Sequence, residues 1–129
     1  MKKALCAALL SLALTPAYAD EMAGKAEYMG ACASCHGESA LGDGPLAGLL
    51  NINTPGLTGI AAANDGEFPF METFMIVDGR TGVRAHGGVM PVWGDHFKSA
   101  AGDIGAYGSE VVTRGRIASL VMYLESIQE

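Results

Sequence analysis

The sequence predicts an all-α fold class, a small helical domain rich in long loops. Three observations predict it. Apolar residues recur at helical spacing near the C-terminus, and no strand-type alternation occurs anywhere. From Asp20 onward, Leu, Ile, Val and Phe number only 24 in 110 residues, a thin supply of core filler. All 18 glycines lie in that same stretch, about twice the average share. A chain so short of aliphatic volume and so rich in loops reads, on composition alone, as marginally stable or partly disordered.

The first element is expected to be removed. Met1-Lys2-Lys3 is a basic start, Ala4 to Leu14 is an apolar run broken only by Ser11, and Ala17-Tyr18-Ala19 offers small residues for cleavage. Residues 1–19 therefore read as a cleaved secretory signal and 20–129 as the domain, with a periplasmic destination. The run is shorter than the roughly 20 residues that cross a bilayer, so no integral membrane segment is expected in the mature chain. Loss of Lys2 and Lys3 leaves six basic against 14 acidic residues, a formal charge of −8. That charge, with no basic stripe, argues against nucleic acid as a partner.

The helices follow in order. Glu21 to Ala31 places Met22, Ala26 and Met29 at helical spacing and leads straight into Cys32. Gly37 to Glu67 has no sustained period and reads as a long loop, with one helical turn around Leu46 to Leu50. Pro69 suits the first turn of a helix, Phe70, Phe74 and Val77 repeat at i, i+4 and i+7, and Gly79 closes it. Arg80 to Ala106 reads as a second glycine-rich loop. In the last helix Ser109 is the expected N-cap, with Ile117, Leu120, Val121, Leu124 and Ile127 in one stripe. A structureless stretch of thirty residues fits a compact domain only when it wraps something.

Cys32-Ala33-Ser34-Cys35-His36 supplies that something. The C-x-x-C-H pentad is the attachment signature of a c-type haem: two thiols add to the vinyl groups, and the adjacent imidazole reaches the iron. On a helical turn, cysteines three apart share one face and can meet one porphyrin edge. A thioredoxin-like redox pair needs a βαβ context that is missing, and a zinc site needs a second ligand pair. The sixth iron ligand decides between carrier and catalyst. Met22 and Met29 precede the pentad, whereas Met71, Met75 and Met122 read as core filler on helices. His86 and His96 read as exposed loop histidines. Met90 differs, because it lies in Gly87-Gly88-Val89-Met90-Pro91-Val92-Trp93-Gly94, where the following proline favours extended backbone. His36 and Met90 are the expected metal ligands.

With the pentad near the N-terminus, a Met-Pro loop before the last helix, and Leu120 and Tyr123 on that helix, the chain resembles a class I monohaem cytochrome c of the bacterial periplasmic kind. The resemblance implies that the first and last helices cross, with Gly24 and Tyr28 at the contact. It also implies that Pro45, within Gly44-Pro45-Leu46-Ala47-Gly48, orients His36 by accepting its Nδ1 proton. Arg80 and Arg84 are candidates for a haem propionate or for solvated loop positions, and Trp93 for a propionate bond or simple packing. The cofactor-binding set is thus Cys32, Cys35, His36, Pro45, Met90, Trp93 and Arg80.

The function implied is one-electron transfer with no enzyme activity, since iron held on both sides is closed to substrate. Partners are other redox proteins that dock transiently, and the negative charge favours a docking face that is basic or largely apolar. The alternative is a haem c relay subunit of a periplasmic oxidoreductase complex that oxidises sulfur compounds or alcohols. A single pentad excludes a dihaem peroxidase, and no paired carboxylates support glycosidase chemistry.

Overall fold

A computed structural model describes residues 16–82 and 90–129, with side chains from Glu21 onward in the first stretch. The expectations for most of the signal segment and for Arg84, His86 and the glycines at 87 and 88 lie outside these residues. The described chain contains five helices and two short 3-10 turns, and no strand. They are α1 (Pro16–Ala31), α2 (Ala33–His36), α3 (Phe70–Asp78), α4 (Trp93–Ala100) and α5 (Gly105–Ser126), with turns at Ala47–Leu49 and Ala62–Asn64.

The first and last helices form the main contact of the fold. Gly24 makes the crossing possible: a Cβ there would overlap the carbonyl oxygen of Ser119 and lie 2.9 Å from Tyr123 Cβ. One turn further on, Tyr28 is fully buried, with its ring 5.4 Å from that of Tyr123 and its hydroxyl donating to the Gly37 carbonyl at 2.6 Å. Arg116 of α5 completes the contact with two bonds to Glu27, at 2.7 and 2.8 Å, and lies 4.3 Å over the Phe97 ring. Ile117, Leu120, Val121 and Leu124 are buried as the stripe requires, each contributing about 2 kcal/mol.

Two expectations about helix limits are corrected. The segment from Arg80 to Ala106 is not wholly loop, because α4 occupies Trp93–Ala100. Trp93 and Phe97, spaced i and i+4, bury one side of that helix, whereas Gly94 and the polar run Asp95, His96, Lys98 and Ser99 obscure its period in the sequence. Nor is Ser109 an N-cap. Helix α5 starts at Gly105, and the Ser109 hydroxyl turns back onto the Ala106 carbonyl at 3.0 Å inside the helix. Helix α3 matches expectation: Thr73 N–H donates to the Pro69 carbonyl, and Gly79 ends the helix at φ 69° with its N–H on Met75.

Candidate haem site

The pentad sits where α1 passes into α2. Cys32 joins them, its own N–H donating to the Tyr28 carbonyl at 2.8 Å and its carbonyl accepting from His36 N–H at 2.9 Å. Both thiols and the imidazole face the same space. Cys32, Cys35 and His36 line a cavity with Ala31, Leu50, Ile52, Thr54, Pro55, Met90 and Pro91. A second cavity, of about 340 Å³, shares Cys32, His36 and Pro55 with it and extends to Leu57, Ile60, Ile76, Val77 and Leu124. The two are adjoining lobes with His36 in their common wall. Their linings are mostly aliphatic, as suits a flat apolar group.

His36 is buried, and its Nδ1 lies 3.0 Å from the Pro55 carbonyl. A carbonyl only accepts, so Nδ1 carries the proton and Nε2 is the atom that would bind iron. Here the expectation for Pro45 is corrected. Pro45 is exposed, and its neighbours cap the back of α2, with Gly44 N–H donating to Cys35 and Leu46 N–H to Ser34. That capping holds the first proline of the loop behind the pentad, so the acceptor comes from the second, ten residues later. Thr54, beside it, is buried with a hydroxyl that has no hydrogen-bond partner among the described residues. An orphaned hydroxyl in an apolar cavity fits a bound group with a polar substituent.

Burial pushes the Cys32 thiol up to about 12, assisted by Cys35 and Glu27 nearby. A thiol held protonated is a poor redox nucleophile and a poor zinc ligand, and the two cysteines are not joined to each other. Among the described residues no group of three or more His, Cys, Asp or Glu side chains gathers around a metal position. The arrangement instead offers two sulfurs, one oriented imidazole and an apolar cleft.

Met90 is half-buried and joins His36 in the first cavity. The other described methionines lie elsewhere: Met22, Met29, Met71 and Met122 are exposed, and Met75 lines neither cavity. Met71 and Met122 are therefore not core filler, because each occupies the outer side of its helix. His96 is exposed on α4 rather than in a loop, its ring edge-on to Trp93 at 5.3 Å. Trp93 itself stacks on Phe97 at 5.9 Å and packs against the core.

Arg80 goes to protein carboxylates. Its guanidinium donates to both oxygens of Asp78 and, at 2.8 and 3.1 Å, to both of Glu110. Four of its five N–H groups are thereby used, so the side chain is neither a solvated loop arginine nor given over to a propionate alone. The clamp ties the end of α3 to α5, and Lys98 of α4 joins it 3.5 Å from Glu110. Gly94 lies directly on this ion pair, where a Cβ would overlap the Asp78 carboxylate. The clamp thus fixes the start of α4, three residues after Met90.

Thr54, Pro55, Leu50 and Ile52 escaped the sequence reading. Pro55-Gly56-Leu57 places a second proline beside a glycine and a leucine in the same loop as Gly44-Pro45-Leu46, in a different order, and that second proline was the available signal. A family model described as Cytochrome c matches residues 21–127. No curated protein and no solved structure matches the chain.

Proposed function

The chain belongs to the cytochrome c family and carries haem c bound covalently through Cys32 and Cys35, and from that premise we propose that it is a periplasmic one-electron carrier with iron ligated by His36 and Met90. The observation that carries this reading is the shared cavity, in which a half-buried methionine and a buried, oriented histidine line one apolar space. The haem supplies the redox couple. The protein's own residues do the rest.

Pro55 holds His36 in the tautomer that ligates and raises its basicity. Met90 supplies a thioether, which favours reduced iron and raises the potential relative to two nitrogen ligands. Leu50, Ile52, Leu57 and Ile60 exclude water and disfavour the extra charge of oxidised iron. With His36 and Met90 both holding the iron, the chemistry the haem would supply is electron transfer without substrate binding, in keeping with a family whose members are typically electron carriers. Leu41, Leu46, Leu49 and Ile52 are exposed on the loop that borders the cavity, an apolar surface suited to transient contact with another redox protein. No helix among the described residues is long and apolar enough to cross a membrane.

The test compares the exported protein with Met90→Ala. The mass of the periplasmic protein should equal residues 20–129 plus one haem. The wild type should show the sulfur-to-iron charge-transfer band, and Met90→Ala should lose it and bind carbon monoxide readily. A wild type without the band, or a variant that binds carbon monoxide no better, overturns the ligation.

A further inference from the structure

We propose that Gln128 is a positioning residue for His36, acting through the 55–61 segment. The proposal rests on His36 being the proximal ligand.

The carbonyl that orients His36 belongs to Pro55, which has no N–H of its own to anchor it. What holds it is the backbone that follows. Leu57 N–H donates to the Ala40 carbonyl at 2.7 Å. From the same point onward, Gln128 and Glu129 clasp the segment. The Gln128 amide donates from Nε2 to the Leu57 carbonyl at 2.8 Å and to the Leu124 carbonyl at 2.6 Å, while Oε1 accepts from Ala61 N–H at 2.9 Å. Glu129 N–H donates to the Thr58 carbonyl at 2.9 Å.

One primary amide therefore spans the segment from Leu57 to Ala61 and fastens it to the last turn of α5. Both its N–H groups and its oxygen are used. Leu57 and Ile60, inside this clasp, and Leu124, to which it is tied, line the larger lobe of the haem site together with His36 and Pro55. The clasp and the ligand belong to one wall.

The consequence concerns the ligand's electronics. A well-held Nδ1–H···O=C bond raises the basicity of the imidazole and stabilises oxidised iron. Without Gln128, Leu57 keeps only its bond to Ala40 and the Ala61 amide loses its acceptor, so the segment relaxes outward and the Pro55 carbonyl with it. The bond lengthens, the Nδ1 proton meets solvent more often, and the reduction potential rises.

The test uses the holoprotein in three forms: wild type, Gln128→Met, which keeps the bulk and removes every bond, and Gln128→Glu, which keeps the acceptor for Ala61 alone. Solvent exchange of the His36 Nδ1 proton is followed by nuclear magnetic resonance, beside the midpoint potential and thermal stability. Exchange should quicken by roughly tenfold in Gln128→Met, the scale of one lost hydrogen bond, and the potential should rise. Gln128→Glu should quicken exchange as well, while its added negative charge acts against the rise in potential. If stability falls in both variants while exchange and potential stay at wild-type values, Gln128 merely fastens the chain end and the proposal is wrong. A wild type whose His36 resonances lack the shifts of an iron ligand overturns the proximal assignment instead.

Discussion

Arg80 lies at the end of α3 with its guanidinium between two carboxylates, and the consequences of that position can be measured. Asp78 is buried, and the Arg80 bonds hold its carboxyl below the usual range. Glu110, bonded to Arg80 and Arg114, is held down to about 2. Arg80→Ala leaves the buried Asp78 carboxylate without its partner, and chemical denaturation at pH 7 should show a loss of about 3 kcal/mol. Because both carboxyls titrate lower in the folded state, the clamp contributes fully above the ordinary carboxylate pKa of about 4 and is lost as pH falls toward about 2. Wild-type stability should fall through that window, and Arg80→Ala should fall less steeply. Parallel pH profiles would show that the clamp does not govern acid stability. At this scale the pentad was legible because its chemistry is local, three side chains within five residues of chain. The partners of His36 and Arg80 were not, since Pro55 and Glu110 come to them across 19 and 30 residues of chain.

Among the helices, the crossing of α1 and α5 depends on a missing side chain. Gly24→Ala gains about 1 kcal/mol in helix propensity. Against that gain, the added Cβ meets the Ser119 carbonyl group, and backbone in the middle of a 22-residue helix yields little. Overpacking of this kind costs about 1–3 kcal/mol. The net effect of Gly24→Ala should be a lower denaturation midpoint, with Gly24→Val worse. A more stable Gly24→Ala would mean that the two helices part at small cost. The terminal stripe of α5 and the apolar spacing of α3 were readable because each repeats over several turns. Helix α4 was missed because eight residues with one buried side hold only Trp93 and Phe97 as signal, and Ser109 was misplaced because a capping residue type is equally at home bonding back within a helix.

For the whole molecule the deciding fact is the shortage of aliphatic residues. Eleven hydrophobic residues are buried among those described, two of them alanines and one the haem-bearing Cys32. Such a core relies on the haem to fill the two lobes between α2, α3 and the Pro55 segment. The chain with Cys32→Ser and Cys35→Ser, freed of haem, should therefore lose most of its helical circular dichroism and its cooperative melt, and a native-like spectrum with a sharp transition would contradict this. The sequence by itself determined the covalent haem c and the helical class, because each rests on residues close in the chain or on a period repeated along it, whereas the crossing helices were implied by the family resemblance. Tertiary structure alone decided which proline orients the histidine, where Arg80 spends its charge, and how Gln128 clasps the wall of the site. Those outcomes depend on which distant backbone groups reach the same place, and a hydrogen bond across 71 residues, such as that from Gln128 to Leu57, leaves no spacing in the sequence to read.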